Sequence, residues 1–501
     1  MLVTLNKVTY RYEDSPEQAL APVTATLPPG WTGVVGSNGS GKTTLLRLVC
    51  GELEPTSGQV TPRAFSVYCA QETELEPADA AGLIADFSGQ ALRIRSILGI
   101  EDEWVGRYDR LSEGERKRLQ VAVALWQDPE VLALDEPTNH VDSLCRERII
   151  EALTGFSGVG LLVSHDREML DALTSQCLFI SQASAVMRPG NYTQGQQQQS
   201  IEQLAATRQR KDAKRELARL QQVKTARDHE AARADARLSK RNIPKGDKDA
   251  KAKIDLAVFT SQDGKAGRLS AQLDSRLAAA QRRLDDSHVD KTYDSDVWFD
   301  AEPSKRRLVL ELEEGLLPLG TDGGQGWLHV PKLMVSPTDH IALTGPNGAG
   351  KTTLVEALCR VVPSRLRLLY LPQELSISER HQQLDLLKQL PPVLRGRALS
   401  IVAQLNSDPD RLLGGRLASP GETRKLMLAL GILARPELII MDEPTNHLDL
   451  GSIEALEAML AACPCALLLV SHDERFLGAT TSIRWRIEPG ADGSRLQVGS
   501  I

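Results

Sequence analysis

Leu134-Asp135-Glu136-Pro137-Thr138-Asn139-His140-Val141-Asp142 returns almost unchanged as Met441-Asp442-Glu443-Pro444-Thr445-Asn446-His447-Leu448-Asp449, so one machine is encoded twice. Each copy follows an apolar run, 131–134 and 438–441, of the kind that forms a buried parallel strand. The acidic pair then stands at the strand's C-terminal end, where α/β sheets place their ligands. There the first carboxylate, Asp135 or Asp442, suits a magnesium-bound water, and the second, Glu136 or Glu443, suits polarising an attacking water. The plainer reading is an acidic turn capping a helix that starts near Pro137. Duplication weighs against it.

The chain of 501 residues divides accordingly into a first repeat over 1–193, a middle region over 194–303 and a second repeat over 304–501. Each repeat is long enough to bury its own core. A hydrophobic content of 41% with 25% charged residues is ordinary for a soluble protein, and a net charge of −7 excludes a general pull toward nucleic acid. Basic surface must be local. Seven scattered cysteines without CxxC spacing point to neither a disulfide framework nor a zinc site, which suits a reducing cytoplasm. Cys463 and Cys465, beside an apolar run, read as buried packing. The first eight residues alternate like a strand and lack the layout of a signal peptide, and no apolar run approaches the roughly 20 residues of a membrane span.

Gly36-Ser37-Asn38-Gly39-Ser40-Gly41-Lys42-Thr43-Thr44 matches GxxxxGK[ST] between a strand-like and a helix-like segment. Its glycines let backbone amides turn inward around phosphate oxygens, Lys42 adds a point charge, and the Thr43 hydroxyl can hold magnesium. Tyr12, thirty positions before Lys42, is placed to stack on a base or to serve as a strand aromatic. Gln71 follows another strand and would orient water and metal, while Leu111-Ser112-Glu113-Gly114-Glu115 opens a helix and also reads as a capping box. His165 closes a further strand. The second repeat carries Gly345-Pro346-Asn347-Gly348-Ala349-Gly350-Lys351-Thr352-Thr353, then Gln373, Ser419-Pro420-Gly421-Glu422, Asp442, Glu443, Asp449 and His472 in the same order.

In content and order these motifs resemble the ATP-binding cassette ATPases. The resemblance implies an α/β fold of two P-loop cassettes in tandem, with Gly36–Thr43 as Walker A, Gln71 as Q-loop, Ser112 and Gly114 in the signature, Asp135 and Glu136 as Walker B, Asp142 as D-loop and His165 as switch histidine. It also implies ATP and Mg2+ as ligands, with Thr43, Gln71, Asp135, Thr352, Gln373 and Asp442 about the metal and Glu136, Glu443, His165 and His472 as catalytic groups. Head-to-tail closure would join Lys42 to Ser419 and Gly421 at one ATP, and Lys351 to Ser112 and Gly114 at the other. The second copy departs from the pattern: Thr321 stands where Tyr12 stands in the first, leaving Trp327 as a substitute aromatic, and both signatures end in glutamate, Glu115 and Glu422.

Between the repeats, residues 201–260 hold 16 Lys or Arg against 9 Asp or Glu, a net +7 in a chain whose total is −7, with Phe259 the single aromatic. This is the composition of a long exposed helix. A break at 241–248 and renewed helical character over 269–284 predict a helical hairpin bending within 240–265, where Lys245, Lys248, Lys251 and Lys253 gather. A solvated coiled-coil spacer is the alternative. Two fused cassettes, a basic helical linker, glutamate-ending signatures and no membrane segment resemble the ABC-F family. Membership implies an ATP hydrolase that binds the ribosome near the tRNA exit site, reaches toward rRNA and peptidyl-tRNA with the linker, and tunes translation or dislodges antibiotics. The cassettes would pair within one chain, giving a cytoplasmic monomer. A DNA-associated cassette protein, a transporter ATPase subunit and a non-hydrolysing scaffold are the rival readings.

Overall fold

The computed structural model describes residues 1–13, 18–139, 141–181, 184–238, 263–286, 303–319, 326–409, 412, 419–490 and 493–500. The first repeat contributes β1 (Val3–Tyr10), β2 (Leu20–Leu27), β3 (Gly30–Gly36), β4 (Ser57–Thr61), β5 (Ser66–Cys69), β6 (Val131–Asp135), β7 (Val159–Val163), β8 (Thr174–Ile180) and β9 (Ala185–Pro189). Strands β2-β1-β4 form a small antiparallel sheet, and β5-β6-β7-β3-β8-β9 form a sheet that is parallel except at β9. β6 and β7 are buried throughout, which is why they read as unbroken apolar runs rather than as alternating strands. Apolar clusters fill both faces of the sheet.

The second repeat contributes β10 (Leu310–Leu312), β11 (Gly315–Pro318), β12 (Trp327–Val330), β13 (Leu333–Val335), β14 (His340–Thr344), β15 (Leu368–Leu371), β16 (Leu438–Asp442), β17 (Ala466–Val470), β18 (Ile483–Gly490) and β19 (Gly493–Ser500). Among the described residues its main sheet has the order β11-β12-β19-β18-β14-β17-β16-β15. The central pairings β16 with β17, β17 with β14 and β15 with β16 are parallel, as are their counterparts in the first repeat. In both repeats the acidic stretch therefore emerges from the sheet edge that also carries the phosphate loop.

No helix starts at Pro137. Residues 136–139 form a turn, and the next helix, Ser143–Thr154, begins after Asp142, whose carboxylate accepts from the Cys145 amide at 2.9 Å. The acidic pair is thus held in a strand-to-turn junction. Glu136 and Glu443 take left-handed φ of 50° and 46°, which non-glycine residues adopt only when their surroundings impose it.

Residues 1–195 with 293–501 form one compact unit, and Gln196–Thr292 form another. In the second unit the helices Tyr192–Leu238 and Asp263–Asp286 run antiparallel, tied by Lys224 to Asp274 at 2.7 Å and Arg283 to Glu216 at 3.7 Å. The first of these helices starts nine residues before the change in composition at Ile201. Asn191 and Gln194 form a reciprocal cap there: the Gln194 amide donates to Asn191 Oδ1 at 3.1 Å and the Asn191 amide to Gln194 Oε1 at 3.2 Å. At 1.5 Å per residue its 47 residues extend about 70 Å. The expected bend and its four lysines, like Thr321, lie outside the described residues.

Candidate nucleotide-binding and hydrolysis sites

β3 ends at Gly36, and the loop that follows closes on Lys42, the first residue of the helix Lys42–Val49. Gly41 has φ of 93°, and a Cβ there would lie 2.5 Å from the Ala19 carbonyl oxygen, so only glycine lets the loop pass so close to the chain before β2. Lys42 is buried and donates to the carbonyls of Gly36 at 2.8 Å and Ser37 at 3.2 Å. Burial lowers its pKa, and Glu136, Asp449 and Asp135 act in the opposite sense. Lys351 repeats the geometry against Gly345 at 2.8 Å and Pro346 at 3.2 Å, and also stands 3.1 Å from His472 Nε2. Ser40 and Ala349, inside the two loops, are buried.

The threonine after each lysine meets the first carboxylate. Thr43 Oγ1 donates to Asp135 Oδ2 at 2.7 Å, and Thr352 Oγ1 to Asp442 Oδ2 at 3.4 Å. Tyr68 also donates to Asp135, at 3.1 Å. The second carboxylate is buried in both copies. Glu136 Oε2 accepts from the His165 amide at 3.0 Å, while Oε1, 3.2 Å from His165 Nε2, has no hydrogen-bond partner. Glu443 Oε1 is likewise unpartnered, 3.6 Å from His472 Nε2. Desolvation pushes Glu136 up to about 7 and Glu443 up to about 8. Burial, aided by the adjacent lysine, holds His165 down at about 3 and His472 at about 4, so both imidazoles are neutral. A buried carboxylate oxygen with no donor, beside a neutral histidine, is fitted to accept a proton or a hydrogen bond from water.

Two cavities open where the repeats face each other. The first, about 440 Å3, is lined by Tyr12, Asn38, Gly39, Gly41, Lys42, Thr43, Thr44, Gln71, Asp135, Glu136 and His165 from one repeat and by Ser419, Gly421 and His447 from the other. The second, about 580 Å3, is lined by Asn347, Gly348, Gly350, Lys351, Thr352, Thr353, Gln373, Asp442, Glu443 and His472, facing Ser112 and Gly114. Tyr12 is 40% exposed and bonds through its hydroxyl to Thr44 at 3.2 Å, leaving its ring at the cavity wall. Trp327 does not line the second cavity. It sits in β12, half-exposed, and Leu319 takes the wall position over Gly350.

Both signature serines cap their helices with the glutamate three residues on. The Ser112 amide donates to Glu115 Oε2 at 2.8 Å and the Ser419 amide to Glu422 Oε2 at 3.0 Å, so the capping-box reading and the cavity-wall reading hold together. The seam is held elsewhere as well. Arg167, 2% exposed, bonds Glu457 at 2.7 Å, and Tyr192 donates to Glu454 at 3.0 Å. A buried ion pair between the repeats contributes more to register than to net stability.

Two site residues escaped the sequence reading. Lys117 and Arg424 occupy the same place in the two signature helices, and both are buried. Lys117 donates to the carbonyls of Ala70 at 2.9 Å and Gln71 at 3.0 Å. Arg424 donates to Pro372 at 2.9 Å and to Gln373, and reaches across to the Glu443 carbonyl at 2.6 Å and the Asn446 carbonyl at 3.3 Å. Within Arg116-Lys117-Arg118 such a residue looks like part of a solvated face. The available signal was a cation at the same step of both repeats.

Duplicated phosphate loops, acidic strand ends and facing signature helices define a tandem ATP-binding cassette ATPase. The ABC transporter family model matches residues 20–139 and again 328–446. The chain is 28% identical to the ribosome protection protein VmlR of Bacillus subtilis, covering 96% of this chain and 86% of that one, and 28% identical to the tylosin resistance ATP-binding protein TlrC of Streptomyces fradiae, covering 98% of each. These relatives are of the ABC-F type, which the chain resembles along nearly its whole length, and it is an ATP hydrolase. Among solved structures, the RNase-L Inhibitor superposes with a TM-score of 0.61 over 98% of this chain and 90% of that one at 18% identity, a likeness of fold. Among the described residues no helix is long and apolar enough to cross a membrane.

Proposed function

We propose that this protein is an ATP-gated clamp that works on the ribosome, binding near the tRNA exit site and tuning or protecting translation. The observation that carries the reading is the mixed parentage of the two cavities, each with the phosphate loop of one cassette and the signature of the other. Nucleotide in either cavity touches both halves, so it favours the closed arrangement over the open one, and only such a difference can shift a conformational equilibrium. Lys42 and Lys351 neutralise phosphate charge, the glycine-rich backbones cradle it, and Tyr12 stacks on one base. Glu136 and Glu443 accept the proton of the attacking water, while neutral His165 and His472 hold the transferring phosphoryl group by hydrogen bonds. The hydroxyl and carboxylate oxygens of Thr43 and Asp135, and of Thr352 and Asp442, are hard donors at the loop's edge and suit magnesium, with Gln71 and Gln373 completing the set. The ion, when bound, offsets the charge between the outer phosphates. Hydrolysis resets the clamp; binding does the work.

The ribosomal half of the reading draws support from the names of the relatives and from the charge of the helical region, +7 over residues 201–260. An elongated basic element with a single aromatic, Phe259, suits the backbone of folded RNA, rRNA or peptidyl-tRNA, better than stacked single strands. Pairing of cassettes within one chain suits a monomer in the cytoplasm. The test is the Glu136→Gln, Glu443→Gln double variant sedimented with ATP through a sucrose gradient. Co-migration with 70S particles, abolished when residues 240–265 are replaced by a Gly/Ser linker, is the expected result. A trapped closed form that leaves ribosomes behind and is retained on DNA would overturn it in favour of the DNA-associated reading.

A further inference from the structure

Behind the second cassette's sheet, Arg306, Arg367 and Arg435 lie about one carboxylate, and three more cations adjoin them in the chain. Ser304 Oγ donates to Glu437 Oε1 at 2.7 Å, and the Arg367 amide donates to Glu437 Oε2 at 3.3 Å. Arg367 Nε in turn donates to the Arg435 carbonyl at 2.6 Å. These bonds bring Lys305, Arg306, Arg307, Arg365, Arg367 and Arg435, all exposed, to the N-terminal ends of β15 and β16. Glu437 pairs with Arg367 at 3.7 Å and is one negative charge among six positive ones. Its side chain is 13% exposed and both its oxygens already accept hydrogen bonds.

The first cassette supplies an internal control. The Glu130 amide donates to the Phe65 carbonyl at 2.9 Å as the Glu437 amide does to Arg367 at 2.8 Å, and the Phe65 amide donates to Glu130 Oε2 at 3.3 Å as the Arg367 amide does to Glu437. Asp128 and Arg435, at matching places, share a φ of 52°. The backbone is the same and the positive charge is reduced: Phe65 stands for Arg367 and Asp128 for Arg435, while Arg63 matches Arg365. Folding this corner therefore does not require arginine at the 367 and 435 places. The cavities lie at the opposite, C-terminal ends of the strands, so the cluster is not part of the ATP machinery either.

Resting on the ribosomal reading above, we propose that this cationic edge of the second cassette grips the phosphate backbone of structured RNA, a contact separate from the helical unit. Six exposed guanidinium and ammonium groups on an open surface match a repeating phosphate chain rather than one small anion. Among the described residues no aromatic side chain joins the cluster, which favours a helical backbone over stacked bases.

The test adds Arg306→Ala, Arg307→Ala and Arg367→Ala to the Glu136→Gln, Glu443→Gln variant and measures its Kd for purified 70S ribosomes with ATP across a potassium chloride series. We expect binding at least about tenfold weaker near 150 mM salt, with the slope of log K against log salt reduced by about 2.7, since each of the three lost phosphate contacts removes roughly 0.9. The same three changes in the hydrolysing protein should leave ribosome-free ATP turnover within about twofold. Unchanged affinity and slope while the parent binds ribosomes would overturn the RNA contact and leave the ribosomal reading standing. A parent that ignores ribosomes would remove the ribosomal reading, and this contact with it.

Discussion

The backbone amide of Asn38, in the phosphate loop of the first cassette, donates to Asp449 Oδ2 of the second at 3.1 Å, and its side-chain amide donates to the His447 carbonyl at 3.0 Å. One residue thus ties the glycine-rich loop before Lys42 to the turn that follows the other cassette's acidic pair. Replacing Asn38 by Ala removes the side-chain bond and leaves the backbone bond. A hydrogen bond of this kind is worth about 1 kcal/mol net, or about fivefold in the closure equilibrium. ATP turnover at subsaturating nucleotide should fall about fivefold with the thermal midpoint unchanged. Turnover within a factor of 1.5 of the parent would show that the bridge does not contribute to closure.

Arg424 and Lys117 predict an imbalance between the two sites. The Arg424 guanidinium spans from the Gln373 strand end to the carbonyls of Glu443 and Asn446, bracing the turn in which Glu443 holds its left-handed φ. An ammonium group has no second arm to reach both places. Arg424→Lys should therefore lower turnover about tenfold, the loss of one or two charge-assisted bonds, with little change in ATP affinity. Lys117→Arg should change it less than twofold. Steady-state kcat and KM for the two variants check this; equal effects would refute the bracing role.

Much of this arrangement was legible in the chain because it rests on local patterns. Gly-rich spacing before Lys42 and Lys351 and the buried runs ending at Asp135 and Asp442 are each set by a few neighbouring residues, and the tandem α/β fold followed from them. What stayed hidden depends on partners far along the sequence. Arg167 finds Glu457 only after both repeats fold, and Leu319 takes the wall place for which Trp327 stood ready. Lys117 and Arg424 are buried cations whose partners are backbone carbonyls, and backbone carbonyls leave no mark in composition. The early helix start at Tyr192 was hidden differently: the cap formed by Asn191 and Gln194 sits at the head of a glutamine run.

The signature glycines differ in their surroundings although the motif treats them alike. A Cβ on Gly421 would collide with the His447 carbonyl oxygen, the same atom that accepts from Asn38, whereas a Cβ on Gly114 would make ordinary contact with Cys145 Sγ at 3.6 Å. Both residues lie in the first turn of a helix, where alanine is intrinsically the better residue. In nucleotide-free protein, Gly421→Ala should lower the thermal midpoint by several degrees, for a strain cost of about 1–3 kcal/mol, and Gly114→Ala should leave it unchanged or slightly raised. Differential scanning calorimetry of the two variants decides it. Matching midpoints would mean that the His447 turn yields without cost.

Titration of the paired glutamates and histidines gives the nucleotide-free protein an uneven pH response. Glu136 and Glu443 have pKa values pushed up to about 7 and about 8 from an ordinary 4.5, so the folded chain binds their protons more tightly than the unfolded chain does. Their contribution is present in full below pH 4.5 and is lost as pH rises through 7 and 8. His165 and His472, lowered to about 3 and about 4 from 6.5, act in the opposite sense: their contribution is present above 6.5 and is lost as pH falls through their folded values. Between 4.5 and 6.5 the two pairs oppose each other, and above 6.5 only the glutamates still titrate. From pH 6.5 to 8, in the presence of EDTA, the protein should lose about 2 kcal/mol relative to the Glu136→Gln, Glu443→Gln variant, whose amides do not titrate. Urea midpoints at the two pH values measure this directly. Parallel shifts in parent and variant would show that both carboxylates are already ionised in the empty cavities at pH 6.5.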